Sequence, residues 1–277
     1  MLVQRMITGI IGMAATVGAV TFGGWLFVGA ITLLAIIAFY EYDKAFAHIQ
    51  LDVWRLIGIV LIPLLMGCAW LGNSSETIGV LMAGTLVILA RVVFFHATFS
   101  MNSAAITISG ICYIGLAFSH LILLRFSHMD TAIVTSLGNM DVGAALIWLA
   151  FIGTWASDTF AYFIGCAIGR HKLCPNISPG KTVEGFLGGM IGTVLALVGL
   201  GLVFNFSIYH MISLGICLAS VATVGDLVES CIKRLTGIKD SGNILPGHGG
   251  VLDRFDSIMF TVPLVYYYVH IFSIFTR

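Results

Sequence analysis

The sequence predicts an all-α, polytopic integral membrane protein of about nine transmembrane helices, with a polar cleft on the cytoplasmic side. Three observations carry this. Of 277 residues, 59% are hydrophobic and only 9% are charged, and the mean hydropathy is +1.04, so there is too little polar surface to cover a soluble globule of this size. Apolar runs of about 20 residues, the length needed to cross about 30 Å of hydrocarbon, recur along the chain. These runs are continuous rather than alternating, which is the pattern of helices and not of a β-barrel.

The predicted spans are residues 6–22, 24–40, 55–72, 76–95, 104–124, 143–166, 186–205, 209–227 and 256–273. The first two are divided only by Gly23 and Gly24, which requires a tight turn. A cleaved signal peptide with Arg5 as its basic flank is the alternative for the first. The third opens at Arg55, the fourth carries Arg91 near its end, and the fifth stops just before Arg125. The sixth and eighth each contain a carboxylate close to their ends, Asp158 and Asp226, and the ninth begins at Asp256. The chain reads as one transmembrane domain over 1–277, with N-terminal helices in 1–140 and the chemistry-bearing helices and loops in 141–277.

Orientation follows from the basic residues. With nine spans, Arg5, Lys44, Arg55, Arg170, Lys172, Lys181, Lys233, Arg234, Lys239 and Arg254 share one side, against Arg125 and Arg277 on the other. By the positive-inside bias the first group is cytoplasmic and the C-terminus lies outside. No organelle-targeting segment is evident, which makes a bacterial inner membrane the simplest location. The six cysteines, Cys68, Cys112, Cys166, Cys174, Cys217 and Cys231, are scattered singly, without CxxC spacing, and read as packing residues rather than as a metal site or disulfide framework.

Two cytoplasmic loops are long enough to hold chemistry. The first, about 167–185, contains Arg170, Lys172, Ser178 and Lys181. The second, Ser230–Asp256, places Lys233, Arg234, Lys239, His248 and Arg254 beside Asp240, Asp253 and Asp256, around Gly247, Gly249 and Gly250. Such a mixture suits a polyphosphate together with the metal ions that neutralise it. Asp158 and Asp226 precede the two loops inside apolar spans, where a carboxylate costs about 2.5 to 3.5 kcal/mol on insertion scales. Two of them together point to a cation or a water-filled cavity. Asp226 and Glu229 are three apart and fall on one helix face. Asp253 and Asp256 repeat that spacing before the last span. Oxygen-only ligands favour Mg²⁺ or another hard cation over zinc, and His248 has no His or Cys neighbour with which to bind zinc. A hydrogen bond to phosphate, or plain exposure, suits it better. The glycines beside it permit positive φ and close backbone approach to a ligand.

The GKT at 180–182 ends like a P-loop, but Pro175 stands where the first glycine is required and no strand precedes it. The SPGK stretch is expected to act instead as a turn presenting backbone N–H groups and one ammonium at the start of the following helix. The simpler alternative leaves Arg170, Lys172 and Lys181 as positive-inside anchors.

The segment S-x-I-K-R from Ser230, K-D-S-G from Lys239 and P-G-H-G-G-x-L-D-R-x-D from Pro246 to Asp256 resembles the signature of the phosphatidate cytidylyltransferases, also called CDP-diacylglycerol synthases. SDTFAYFIG from Ser157 and ISPGKT from Ile177 resemble a second region of that family, and size and helical character agree along most of the chain. Val183 departs from the pattern, which has Trp at this position.

The resemblance implies that CTP and phosphatidate react to give CDP-diacylglycerol and pyrophosphate. It implies dependence on Mg²⁺, with a second cation possible, a lipid substrate drawn from the membrane, no nucleic-acid partner, and a homodimer. A phosphate oxygen of phosphatidate attacking the α-phosphorus needs no enzyme nucleophile, so positioning and charge neutralisation carry the catalysis. The expected metal ligands are Asp226 and Asp253, then Glu229, Asp256 and Asp158. Lys233, Arg234, Lys239 and Arg254 are expected to hold the triphosphate or lipid phosphate, with Ser178, Lys181, Lys172, Asp158, His248 and Asp240 as further substrate contacts. CDP-alcohol phosphotransferases also use membrane carboxylates, but their D-G-x-x-A-R start is absent, since Leu227 and Val228 follow Asp226. An ion or solute transporter using Asp158 and Asp226 is the non-enzymatic alternative. It fits less well, because no internal repeat is evident and the charges gather at one membrane face.

Overall fold

The computed structural model describes residues 2–127, 132–136, 138–244, 247, 249–272 and 274. His248 and Arg277 lie outside them. Each predicted apolar segment is helical: α1 (Leu2–Phe22), α2 (Gly24–Ala47), α3 (Arg55–Trp70), α4 (Ser74–Phe94), α5 (Met101–Gly110) continued by a π-helical turn (Ile111–Leu116) and α6 (Ala117–Phe126), α7 (Val142–Ile168), α8 (Val183–Phe204), α9 (Ile208–Thr236) and α11 (Ile258–Ile271). A single turn, α10 (Leu252–Phe255), precedes the last. Six helices among the described residues are long and apolar enough to cross a membrane, while the apolar stretches Met6–Phe22 and Arg55–Trp70 are shorter. The chain is a helical membrane protein.

The tight turn between the first two helices is made by Gly23 and Gly24, with φ of 59° and 53°. L side chains rarely adopt this left-handed backbone, so glycine separates the two helices here with one non-helical residue. Two short antiparallel hairpins were not anticipated. β1 (Ala132–Thr135) pairs with β2 (Gly138–Asp141), and β3 (Lys172–Cys174) pairs with β4 (Ser178–Thr182). Neither shows the alternation that marks a half-buried strand; they form because the chain must reverse within a few residues between long helices. Another difference concerns α9, predicted to leave the membrane near residue 227, which remains helical to Thr236 and stops where Gly237 takes φ 71°.

The chain forms two compact units, one of Met1–Leu123 with Ile232–Phe255, the other of Leu124–Cys231 with Asp256–Arg277. In the first unit the loop 232–255 packs with the N-terminal helices.

In the first unit, small residues admit aromatic ones. Phe39 of α2 lies where a Cβ on Gly58 would be, and Tyr42 where one on Gly110 would be. Tyr42 donates its hydroxyl to the Ile106 carbonyl at 3.3 Å, and Asp43 pairs with Arg55. In the second unit, Gly185, Gly188, Gly189 and Gly192 form a smooth strip on α8 against α7. A Cβ on these would meet the Ala161 carbonyl, Ile164, the Ser157 carbonyl and Phe160 respectively. Small residues at helical spacing let two backbones approach closely where lipid offers no hydrophobic drive to association. The strip thereby fixes α7 against the start of α8.

Candidate active site

The second unit holds a cavity of about 470 Å³. Asp158, Ala161 and Tyr162 line it from α7, Ser178, Gly180, Lys181 and Thr182 from β4, and Thr223 and Asp226 from α9. Lys181 Nζ lies 2.6 Å from an Asp226 oxygen, and both side chains stay partly open, at 24% and 32%. Ser230, one turn on, donates its hydroxyl to the other Asp226 oxygen at 3.2 Å.

SPGKT proves to be a strand rather than a turn. The β3/β4 pairing is irregular in register, and Ser178, Gly180, Lys181 and Thr182 all reach the one cavity. Thr182 then caps α8, its hydroxyl accepting the Gly185 N–H at 3.1 Å, so the backbone donors at that helix start are partly spent on the cap. The Gly185 N–H, one of the backbone donors at this helix start, is thus occupied, while the Lys181 ammonium stands on the cavity beside Asp226. Glu184 braces the open end of the hairpin, accepting backbone N–H groups from Arg170 and His171 at 3.0 Å and 3.2 Å and the His171 ring at 2.5 Å.

The first unit holds another polar centre. Asp253, with its side chain 7% exposed, accepts Lys233 Nζ at 3.0 Å on one oxygen. Its other oxygen accepts the N–H groups of Ser241 at 2.9 Å and Gly250 at 2.8 Å. Asp253 thus ties both ends of the glycine-rich loop to α9. Gly247 and Gly249 take φ of 77° and 86°, as their residue type suggested.

Gly250 is glycine for another reason. A Cβ there would stand 2.6 Å from Glu41 Oε2 and from Ser241 Oγ. Glu41 of α2 is 1% exposed, and its two oxygens accept the N–H groups of Val251 at 3.1 Å and Leu252 at 2.8 Å. Gly242 also leaves room for its carboxylate. The sequence reading missed Glu41, which directly follows the predicted span 24–40 and so carries a signal close to the one that singled out Asp158 and Asp226, a carboxylate at the end of an apolar span.

The remaining expected residues fall as follows. Asp158, Lys172, Arg234, Lys239, Asp240 and Arg254 are exposed, and of these Asp158 lines the cavity while Lys172 does not. Glu229 is buried, at 1% exposed, and Asp256 accepts the Ser257 N–H at 2.6 Å. Among the described residues, no three His, Cys, Asp or Glu side chains gather as a metal cluster.

Comparison with known proteins now bears on the chain. Residues 3–272 match the cytidylyltransferase family. The chain belongs to that family. It is 36% identical over 266 residues to a phosphatidate cytidylyltransferase of Staphylococcus saprophyticus, covering 94% of this chain and 96% of the relative. It is 35% identical to one of Staphylococcus haemolyticus at the same coverage, and 31% identical to one of Bacillus subtilis over 98% of both chains. For a member of this family the two polar centres have a shared character: in each, a lysine neutralises an aspartate at hydrogen-bonding distance. Such a pair can open to give an anion the ammonium and a cation the carboxylate.

Proposed function

We propose that the chain transfers CMP from CTP to phosphatidate, releasing pyrophosphate and forming CDP-diacylglycerol. The observation that carries this reading is the cavity where Lys181 and Ser178 stand with Asp226 and Asp158, in a chain related along almost its whole length to phosphatidate cytidylyltransferases. A phosphate oxygen of phosphatidate forms the new P–O bond at the α-phosphorus of CTP as the bond to the β-phosphate bridge breaks. The electron pair leaves with pyrophosphate, and no covalent enzyme intermediate forms.

The donor set fits Mg²⁺. That ion is bound through one or two carboxylates together with substrate phosphates and water, not through an all-protein cage, so Asp226 and Asp158 on one cavity suffice without a three-residue cluster. When bound, Mg²⁺ would neutralise charge on the polyphosphate. Asp158 is taken as the partner of Asp226 because both line the one cavity, and Asp253, held by Lys233 and the loop amides, is the further carboxylate for a cation. Lys181 and Ser178 would hold a phosphate in the cavity. Lys233, Arg234, Lys239 and Arg254 remain the cations for a second phosphorylated group, Arg by bidentate contact and Lys as a point charge. His248, Lys172, Asp240, Glu229 and Asp256 are supporting positions. We place the basic loops in the cytoplasm of a bacterial cell, with all nine helical segments spanning the inner membrane and the enzyme acting as a homodimer.

The test is a purified preparation in detergent with labelled CTP and phosphatidate. Label should enter lipid with one pyrophosphate released per lipid formed, and chelating the divalent cations should stop it. Release of CMP or pyrophosphate without lipid product would overturn the reading. Lys181→Ala is expected to weaken kcat/KM for CTP by at least about tenfold, since a charge-assisted hydrogen bond contributes about 1.5 to 3 kcal/mol. An unchanged value would return Lys181 to the role of a membrane anchor.

A further inference from the structure

We infer that the end of α4 carries a binding site for an anionic phospholipid, built around Arg91. The guanidinium lies over three aromatic rings of the first unit, 4.3 Å from the centroid of Trp54, 4.7 Å from that of Phe99 and 5.9 Å from that of Phe95. Among the described residues it has no carboxylate partner and no side-chain hydrogen bond. Rings engage the faces of a guanidinium, whereas its five N–H donors point outward in its plane. Arg91 is therefore oriented while its whole donor edge stays unspent, and that edge matches two oxygens of a phosphodiester.

The cage is fixed by the fold. The Trp54 N–H donates to Thr107 Oγ1 at 3.0 Å, Phe99 is buried, and the Phe95 N–H returns to the Arg91 carbonyl at 2.9 Å. Beside the guanidinium is a groove of about 400 Å³ lined by Trp54, Val87, Ala90, Arg91, Phe94 and Phe95. It contains no acidic side chain and no residue of the loop 232–255.

Depth and charge together select the occupant. Helix α4 is long and apolar enough to span the membrane, and Val87, Phe94 and Phe95 on this face are exposed, so acyl chains meet them. Arg91 stands in its last turn, at headgroup level, where aromatic and basic residues gather. A headgroup with an ammonium would bring a second cation to a site without a carboxylate. A net-anionic headgroup meets the arginine alone, with its chain along the groove.

The site can be read through Trp54 itself. In full-length protein with Trp25, Trp70, Trp148 and Trp155 changed to Phe, Trp54 is the one tryptophan left of five. Reconstituted in phosphatidylcholine vesicles, it should be quenched by brominated phosphatidylglycerol about fivefold more effectively than by brominated phosphatidylcholine, the ratio that one interfacial cation supplies. Arg91→Gln should erase the preference, Arg91→Lys should keep part of it, and inorganic phosphate should not compete. Equal quenching by both lipids in the Arg91 protein, or an undiminished preference in Arg91→Gln, overturns the site. Should Arg91→Gln fail to fold, unlabelled phosphatidylglycerol must still relieve the quenching in the Arg91 protein better than phosphatidylcholine does, and failure to do so overturns it equally. Cytidylyl transfer is measured separately, so its absence would count against the proposed reaction while the quenching ratio still decides this one.

Discussion

Asp226→Asn is expected to lower cytidylyl transfer by on the order of 10²- to 10³-fold, the cost typical of removing one group that stabilises developing charge. The side chain opens on the cavity and holds Lys181 at 2.6 Å. Asparagine keeps the size but offers a single neutral oxygen, a poor ligand for a hard cation and no counter-charge for an ammonium. Stability should barely move, because a partly exposed ion pair contributes about 0 to 1 kcal/mol. The measurement is the initial rate of label transfer from CTP into lipid, with thermal unfolding in detergent on the same sample. A near-normal rate would remove Asp226 from the chemistry, and a large fall in melting temperature would make its role one of folding.

Glu41→Ala should act through the fold. The substitution leaves the Val251 and Leu252 N–H groups buried without their acceptor. Hydrogen bonds to a charged group contribute about 1.5 to 3 kcal/mol each, and a buried donor left unsatisfied costs a similar amount. The expected destabilisation is about 3 kcal/mol or more. The loop between Gly237 and Val251 should become sensitive to protease, and turnover should fall with it because Asp253 and Arg254 follow directly. Glu41→Gln, which keeps the volume and one acceptor, should retain an intermediate melting temperature. If Glu41→Ala melts normally and its loop resists protease, the carboxylate does not anchor the signature segment. Gly250→Ala offers an independent check, since its methyl would press on the same carboxylate from the other side.

The helices were legible because their signal is local and redundant. Six of the helices among the described residues are long and apolar enough to cross a membrane, and in lipid a run of that kind satisfies its backbone as a helix whatever the rest of the chain does. The glycine pair at Gly23 and Gly24 was equally readable, since a turn that tight has few chemical solutions. The hairpin holding SPGKT was not, because five residues without alternation carry no strand signal. Its pairing instead comes from Lys172 to Cys174, reached only after the chain has reversed.

The candidate residues were identified by type, but their present partners were hidden. Asp158, Ser178, Lys181 and Asp226 were each singled out, yet that all four line one cavity depends on the glycine strip that brings α8 against α7. Asp253 was singled out as a metal ligand, and its contacts with Lys233 and two loop amides could not be read from the sequence.

Composition and run length alone determined that this is a helical membrane protein, and the motif residues alone pointed to phosphate chemistry, because solvation cost and charge belong to a residue wherever it sits. Only the tertiary structure decided that Glu41, some 210 positions away along the chain, holds the loop after Gly250, and that Lys181 answers Asp226. Hydrogen bonds and ion pairs act over about 3 Å of space, and sequence separation carries no information about which groups packing brings that close.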